Sequence, residues 1–381
     1  MVDDKKIKDI EEMKEPEFHL LFVNSELSDG EEEKKINEII TKRNLILSSL
    51  GFSFDNNGSI LPRNSQMFDG LIGFVVGDAL GVPVEFSNRD YMKEKPLKDM
   101  VGYCYYDVPE GTWSDDTSMM LATMDSIIQV GGIDYYDIMY KFSEWIDYAK
   151  YTATDKVFDI GSTTRKAILK FKRHDPPIEC GGFDLKDNGN GSLMRMLPVA
   201  YYLSQNEFSE DEEVNIIDNI SSLTHAHEIS CLGCKIYCDY VNKLLNGVDK
   251  INALNSLKKQ DYVKYYSSIT VDEYYRILNG NILKLSRDEI NSSGYVVDTL
   301  EASLWCVLNT NNYEDAVLTA INLGGDTDTI GAITGSLAGI IYGREQIPDR
   351  WLNKIKKLGY VESLCDEFVN FLKGVIWHKY K

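Results

Sequence analysis

With 381 residues and 43% of them hydrophobic, the chain can build one large domain or two ordinary ones around a real core. Its 60 acids against 40 bases leave a formal charge of -20, which argues against nonspecific binding to nucleic acid or to an anionic membrane; no basic face with interleaved aromatics offsets it. No basic segment leads into an apolar core at the N-terminus and no run of about 18 apolar residues suggests a membrane span, so a soluble cytoplasmic protein is expected.

Residues 1–35 hold twelve acids and six bases, the composition of a solvated or loosely helical extension. A helical stretch over 35–50 leads to the turn-rich Asp55-Asn56-Asn57-Gly58 and to Pro62, which places the start of the main domain at Met67 and divides the chain into 1–66 and 67–381. Beyond that point apolar residues recur at three- and four-residue spacing over 121–128, 138–148 and 163–171, while period-two strands are scarce. The main domain is therefore expected to be predominantly helical, with its chemistry in the short Gly-, Asn- and Asp-rich loops between helices.

The first such segment is Gly77-Asp78-Ala79-Leu80-Gly81, after the apolar run Leu71 to Val76. Its glycines permit tight turns and close approach of backbone to a ligand, or simply a corner between helices. Four residues on stands Glu85, in the bland reading an ordinary surface acid. Ser114-Asp115-Asp116-Thr117 then packs two carboxylates and two hydroxyls in front of a helical stretch, and Phe158-Asp159-Ile160-Gly161 sets an acid among apolar residues, as a helix cap or as a buried group wanting a cation. Asn188-Gly189-Asn190-Gly191-Ser192-Leu193-Met194-Arg195 runs into another helix; exposed amides there suit phosphate oxygens, although Asn-Gly pairs are also common turn formers. His225 follows, one of five histidines. Cys231, Cys234 and Cys238 share a helix face and read as core packing in preference to a zinc site, and seven scattered cysteines fit reduced thiols. Gly324-Gly325-Asp326-Thr327-Asp328-Thr329 is the second acid cluster, and Pro348 marks the first turn of a late helix.

The two acid clusters lie more than two hundred residues apart in sequence, and charge is the reason to join them. Four carboxylates gathered in one place repel strongly unless cations neutralise them, and two divalent ions balance the four charges. Carboxylate and hydroxyl oxygens are hard ligands, suited to Mg²⁺, Mn²⁺ or Ca²⁺. The alternative is that each cluster only caps a helix N-terminus.

Six segments in this order, from Gly77-Asp78-Ala79-Leu80-Gly81 through Trp113-Ser114-Asp115-Asp116-Thr117, Phe158-Asp159-Ile160-Gly161, Gly189 to Arg195, Thr224-His225 and Gly324 to Thr329, resemble the ADP-ribosylglycohydrolases, most of all bacterial members of the dinitrogenase reductase-activating type. The resemblance covers roughly residues 67–375. It implies an all-α orthogonal helical bundle with a dinuclear Mg²⁺ or Mn²⁺ cleft, its ligands Ser114, Asp115, Asp116, Asp326, Asp328 and Thr329. Many relatives carry Thr where this chain has Ser114, a change that keeps the oxygen and loses the methyl that restricts its rotamer. By the same resemblance Asn190, Gly191 and Ser192 contact a diphosphate, His225 the adenosine side, and Asp159, with Glu85 and Asp116, serves catalysis at the scissile bond. The activity implied is hydrolysis of the glycosidic bond between ADP-ribose and an acceptor, an arginine side chain of a protein in preference, or a small ADP-ribosyl substrate. An ADP-ribose-binding module without activity and a hydrolase of another linkage, such as O-linked serine, are the alternatives.

Overall fold

A computed structural model of the chain describes residues 52–54 and 60–374, with side chains from 66 to 374. The acidic extension, the helical stretch expected over 35–50 and the turn at 55–58 lie outside the described residues. What is described belongs to the unit Gly51–Lys381. A short antiparallel hairpin, β1 (Phe52–Phe54) paired with β2 (Ile60–Pro62), comes first. All remaining regular structure among the described residues is helical: α1 (Arg63–Gly81), α2 (Arg89–Glu94), α3 (Asp115–Val130), α4 (Tyr135–Tyr148), α5 (Ser162–Phe171), α6 (Leu197–Gln205), α7 (Glu210–Ser222), α8 (Glu228–Leu245), α9 (Lys250–Leu257), α10 (Ser268–Glu273), α11 (Tyr275–Leu278), α12 (Val296–Leu308), α13 (Tyr313–Ile321), α14 (Thr327–Tyr342), α15 (Asp349–Leu352) and α16 (Leu358–Leu372), joined by short 3-10 turns. The all-α expectation holds.

The three periodic stretches read from the sequence fall inside α3, α4 and α5, and their ends have local causes. Ser114 caps α3, which stops at Gly131 in the left-handed conformation (φ 80°). Asp134 accepts the Tyr136 and Asp137 amides at the start of α4. Cys231, Cys234 and Cys238 are buried thiols along α8, as core packing requires.

α1 and α14 form the centre of the fold, and glycines decide how closely they approach. Gly73, Gly77 and Gly81 repeat every four residues on α1; Gly331, Gly335 and Gly339 do so on α14. The two rows meet in antiparallel order. A Cβ on Gly77 would stand 2.0 Å from the Gly331 carbonyl oxygen, one on Gly73 2.3 Å from that of Gly335, and one on Gly81 2.3 Å from that of Thr327. Gly77 lies inside α1 and Gly81 at its last position, where the chain turns into a 3-10 turn over Val82–Val84, so the corner between helices is the reading that holds at Gly81, and both glycines admit a second helix. Gln66–Val84 also proves long and apolar enough to cross a membrane by length and composition, contrary to the sequence reading, but 94% of it is buried inside the protein as a core helix.

Candidate active site

The glycine contact brings the ends of α1 and α14 together, and α3 starts beside them. Asp78 sits in the last turn of α1, Asp115 and Asp116 in the first turn of α3, and Asp328 and Thr329 in the first turn of α14. Carboxylate oxygens of Asp78, Asp116 and Asp328, all buried, lie within 4.8 Å of one another, as do those of Glu85, Asp159 and Asp328. Asp328 is common to both groups. Two oxygens in this region, Asp116 Oδ1 and Glu85 Oε2, are buried without a hydrogen-bond partner. Orphaned carboxylate oxygens in a hard-oxygen cluster fit a cation.

Asp78 holds the cluster's geometry. Its carboxylate accepts the Ser114 amide at 3.0 Å, the Thr117 amide at 3.0 Å and the Thr117 hydroxyl at 2.5 Å, so it caps α3 from a different helix. Ser114 Oγ in turn accepts the Asp116 amide at 3.2 Å and lies 3.2 Å from Asp116 Oδ2. Helix capping and acid clustering thus coexist here, whereas Asp326, the residue before α14, makes no side-chain cap bond. Glu85 is tied to the second cluster through backbone: the Phe86 amide donates to the Gly325 carbonyl at 2.7 Å and the Gly325 amide to that of Ser87 at 2.8 Å. Gly324 and Gly325 both take positive φ (74° and 79°), which swings Asp326 toward the cleft.

Burial dominates the electrostatics. It raises Asp115, Asp116 and Asp328 well above the ordinary carboxylate range, with neighbouring acids adding to the effect. Asp78 is pushed up to about 6 by burial against the hydrogen bonds of Thr117 and Ser114, and Glu85 to about 9 by burial, then by Asp159 and Asp326. The Tyr106 hydroxyl stands against both Glu85 and Asp159, and burial between two acids raises it as well. Asp159, only partly buried, takes a left-handed φ of 48° and its carboxyl is also raised by burial.

Above the acids opens a cleft lined by Glu85, Asp115, Asp159, Asp326 and Thr329 together with Thr164, Lys186, Gly189, Asn190, Gly191 and His225. The Gly189–Gly191 loop is stitched to the chain before α12: the Asn190 amide donates to the Gly294 carbonyl and the Val296 amide to that of Asn188, both at 3.0 Å. The amides of Gly191 and Ser192 have no acceptor among the described residues. The His225 ring packs beneath this loop, where a Cβ on Gly191 would meet its Cε1 at 2.7 Å. Its Nδ1 lies 2.7 Å from Thr224 Oγ1, and burial followed by the charge of Arg195 pushes it down to about 3, so it is neutral at pH 7.

The residues singled out from the sequence divide into three sets. Asp115, Asp326, Thr329, Glu85, Asp159, Asn190, Gly191 and His225 line the cleft, and Asp116 and Asp328 lie beneath it. Asn190 adds a bond that spacing did not foretell, its amide donating to Asp326 Oδ2 and to Thr299 Oγ1, each at 2.9 Å. Ser192 does not line the cleft: its hydroxyl is fully buried, 3.0 Å from Ser221 Oγ and accepting from the Cys234 thiol at 3.4 Å. Ser114 is likewise absent from the lining and belongs to the cap of α3. Two further residues belong to the site: Asp78, present in the first motif segment without a role of its own, and Tyr106, which no motif contains. A carboxylate within an apolar helix such as Leu71 to Leu80 is a legible signal, since burial there demands partners; Tyr106, in a loop without periodicity, carries none.

A family model described as ADP-ribosylglycohydrolase matches residues 62–375. The chain is 33% identical over 300 residues to the ADP-ribosylarginine hydrolase Tri1 of Serratia proteamaculans, covering 78% of this chain and 77% of that protein. It is 28% identical over 287 residues to the ADP-ribosyl-[dinitrogen reductase] glycohydrolase of Rhodospirillum rubrum, covering 75% and 88%. Among solved structures, a chain of an ADP-ribosylglycohydrolase-related protein complex superposes with a TM-score of 0.68 at 27% identity, covering 81% of this chain and 99% of that one.

Proposed function

The chain belongs to the ADP-ribosylglycohydrolase family, and on that premise we propose that it hydrolyses the bond between ADP-ribose and an arginine side chain, releasing ADP-ribose. Relatives named as ADP-ribosylarginine hydrolases support the choice of linkage. The observation that carries the reading is the pair of carboxylate groups sharing Asp328, set in one cleft with the glycine loop. We take the domain that does this to be 67–381, with 1–66 as an extension to it.

Asp116 and Asp328, with Ser114, Asp115, Asp326 and Thr329 around them, are the residues that would hold two Mg²⁺ or Mn²⁺ ions. Bound there, the ions supply positive charge that binds the hydroxyls of the distal ribose and offsets charge developing on it. Asp159 and Glu85 stand where the acceptor enters. A carboxylate at Asp159 pairs with a guanidinium, and Glu85, whose carboxyl burial and the neighbouring Asp159 and Asp326 push toward the protonated form, is placed to give a proton to the departing nitrogen. The free amide of Gly191, in the lining of the cleft, suits the diphosphate oxygens, and His225 the adenosine side. The Ser192 hydroxyl is turned away from that role.

The test is incubation of the protein with Mg²⁺ or Mn²⁺ and an ADP-ribosyl-arginine peptide beside an ADP-ribosyl-serine peptide, with products identified by mass. Free ADP-ribose from the arginine peptide is expected. Release from the serine peptide alone reassigns the linkage, and binding of ADP-ribose without release from either makes the protein a reader.

A further inference from the structure

Arg195 is the charged residue of the glycine segment, it has no part in the reading above, and its environment is unusual. The guanidinium is fully buried, yet it forms no ion pair with any carboxylate among the described residues. It donates to the carbonyl of Gly191 and, at 3.0 Å, to that of Ile220; the Phe142 ring lies 5.2 Å away, and its Nε has no partner at all. Arginine stays protonated in such a place, so a full positive charge is held in the interior with only carbonyl dipoles and a ring face to balance it. A buried ion without a counter-ion is destabilising unless something else supplies the opposite charge.

The charge is separated from the cleft by a single peptide. Gly191, whose carbonyl it binds, lines that cleft, and so do Gly189 and Asn190 beside it. We propose that Arg195 is the buried counter-charge for the substrate's diphosphate: a positioning residue that fixes the Gly191 peptide and projects a positive field through the loop without touching the ligand. The inference rests on the reading of this loop as the diphosphate site. In a chain of charge -20, with a floor of carboxylates in the same cleft, an anionic ligand needs such a source of attraction. Lys186, a cation that does line the cleft, is solvent-exposed and pairs with Asp184 at 3.6 Å, so its field is screened. A cation shielded from water acts more strongly on a nearby anion than an exposed one does.

The experiment is calorimetric titration of the full chain with inorganic pyrophosphate in the presence of a chelator, which isolates the loop from any metal in the acid cluster, followed by Mn²⁺ titration and steady-state kinetics. Arg195→Met should weaken pyrophosphate binding and raise KM by about ten- to hundredfold, the usual effect of losing one charged partner, while Mn²⁺ affinity and kcat stay within a few fold. Arg195→Lys, which keeps the charge, should restore most of both losses. Unchanged pyrophosphate binding in Arg195→Met overturns the proposal. So does an equal fall in pyrophosphate and Mn²⁺ affinity, which marks a merely structural role. If the methionine variant does not fold, the wild type decides: metal-free pyrophosphate must raise its thermal midpoint, and no rise overturns the assignment. Failure of the wild type to bind ADP-ribose with or without metal instead sinks the functional reading itself.

Discussion

Gly77→Ala is the substitution whose consequence the structure specifies most sharply. A methyl there would stand 2.0 Å from the Gly331 carbonyl oxygen, 2.6 Å from its carbon and 3.1 Å from the Ala332 nitrogen, where ordinary contact begins at 3.4 Å. All three obstacles are backbone, so no rotamer change relieves them, and α1 and α14 must part by more than an ångström. Overpacking of this kind costs about 1–3 kcal/mol even where side chains can yield. Alanine returns about 1 kcal/mol of helix propensity over glycine. With a rigid obstacle the cost sits at the top of its range or beyond, so the net loss should be at least about 2 kcal/mol, roughly a thirtyfold rise in the unfolding equilibrium. Gly359→Ala is the matched control, a helical glycine in α16 whose added methyl meets nothing within 4 Å; it should be neutral or stabilise by up to about 1 kcal/mol. Urea denaturation monitored by far-ultraviolet circular dichroism reads both as shifts of midpoint at equal slope. Because Asp78 and Asp328 stand on the two helices being parted, Mn²⁺ affinity should fall in Gly77→Ala and not in Gly359→Ala. Gly77→Ala within about 0.5 kcal/mol of wild type would refute the close-contact argument.

Asp116→Ala and Asp328→Ala should each reduce turnover by about two to three orders of magnitude or more while leaving the circular dichroism spectrum unchanged; near-normal metal-dependent activity in both variants counts against the site. Asp78→Ala removes the acceptor of two amides and a hydroxyl at the start of α3, and should cost about 1–2 kcal/mol of stability and about ten- to hundredfold in Mn²⁺ affinity, read by denaturation and calorimetry. In the chelated protein, Asp78 and Glu85 have folded pKa values raised from 3.8 to about 6 and from 4.5 to about 9. The folded state therefore binds more protons than the unfolded state between those limits. Their contribution is complete below pH 3.8 for Asp78 and 4.5 for Glu85 and is lost as pH rises through about 6 and then about 9. Thermal melts should show stability falling over that window, less so in Glu85→Gln and least with saturating Mn²⁺; a flat or rising profile in the chelated wild type contradicts the burial argument. Asn190→Ala frees Asp326 from its amide donor and should lower kcat about tenfold with little change in stability, checked by kinetics beside denaturation.

The sequence by itself determined the helical class and most of the chemistry, because both are written locally. Three- and four-residue apolar spacing specifies α3, α4 and α5 wherever they pack, and acid-rich runs such as Ser114 to Thr117 and Asp326 to Thr329 declare their ligand type through composition alone. Ordered motifs added the family. Tertiary structure decided which atoms of those motifs meet. The hydroxyl of Ser192 turns into the core toward Ser221 and Cys234, a direction set by packing and not by the order of residues in the loop. Asn190 reaches Asp326 across 136 positions. Asp78 joins the acid floor only because two rows of glycine, one from α1 and one from α14, let backbones touch more than two hundred and fifty residues apart along the chain. Local spacing carries the character of a side chain, but the distance between two remote carboxylates is fixed by how closely the helices beneath them can pack.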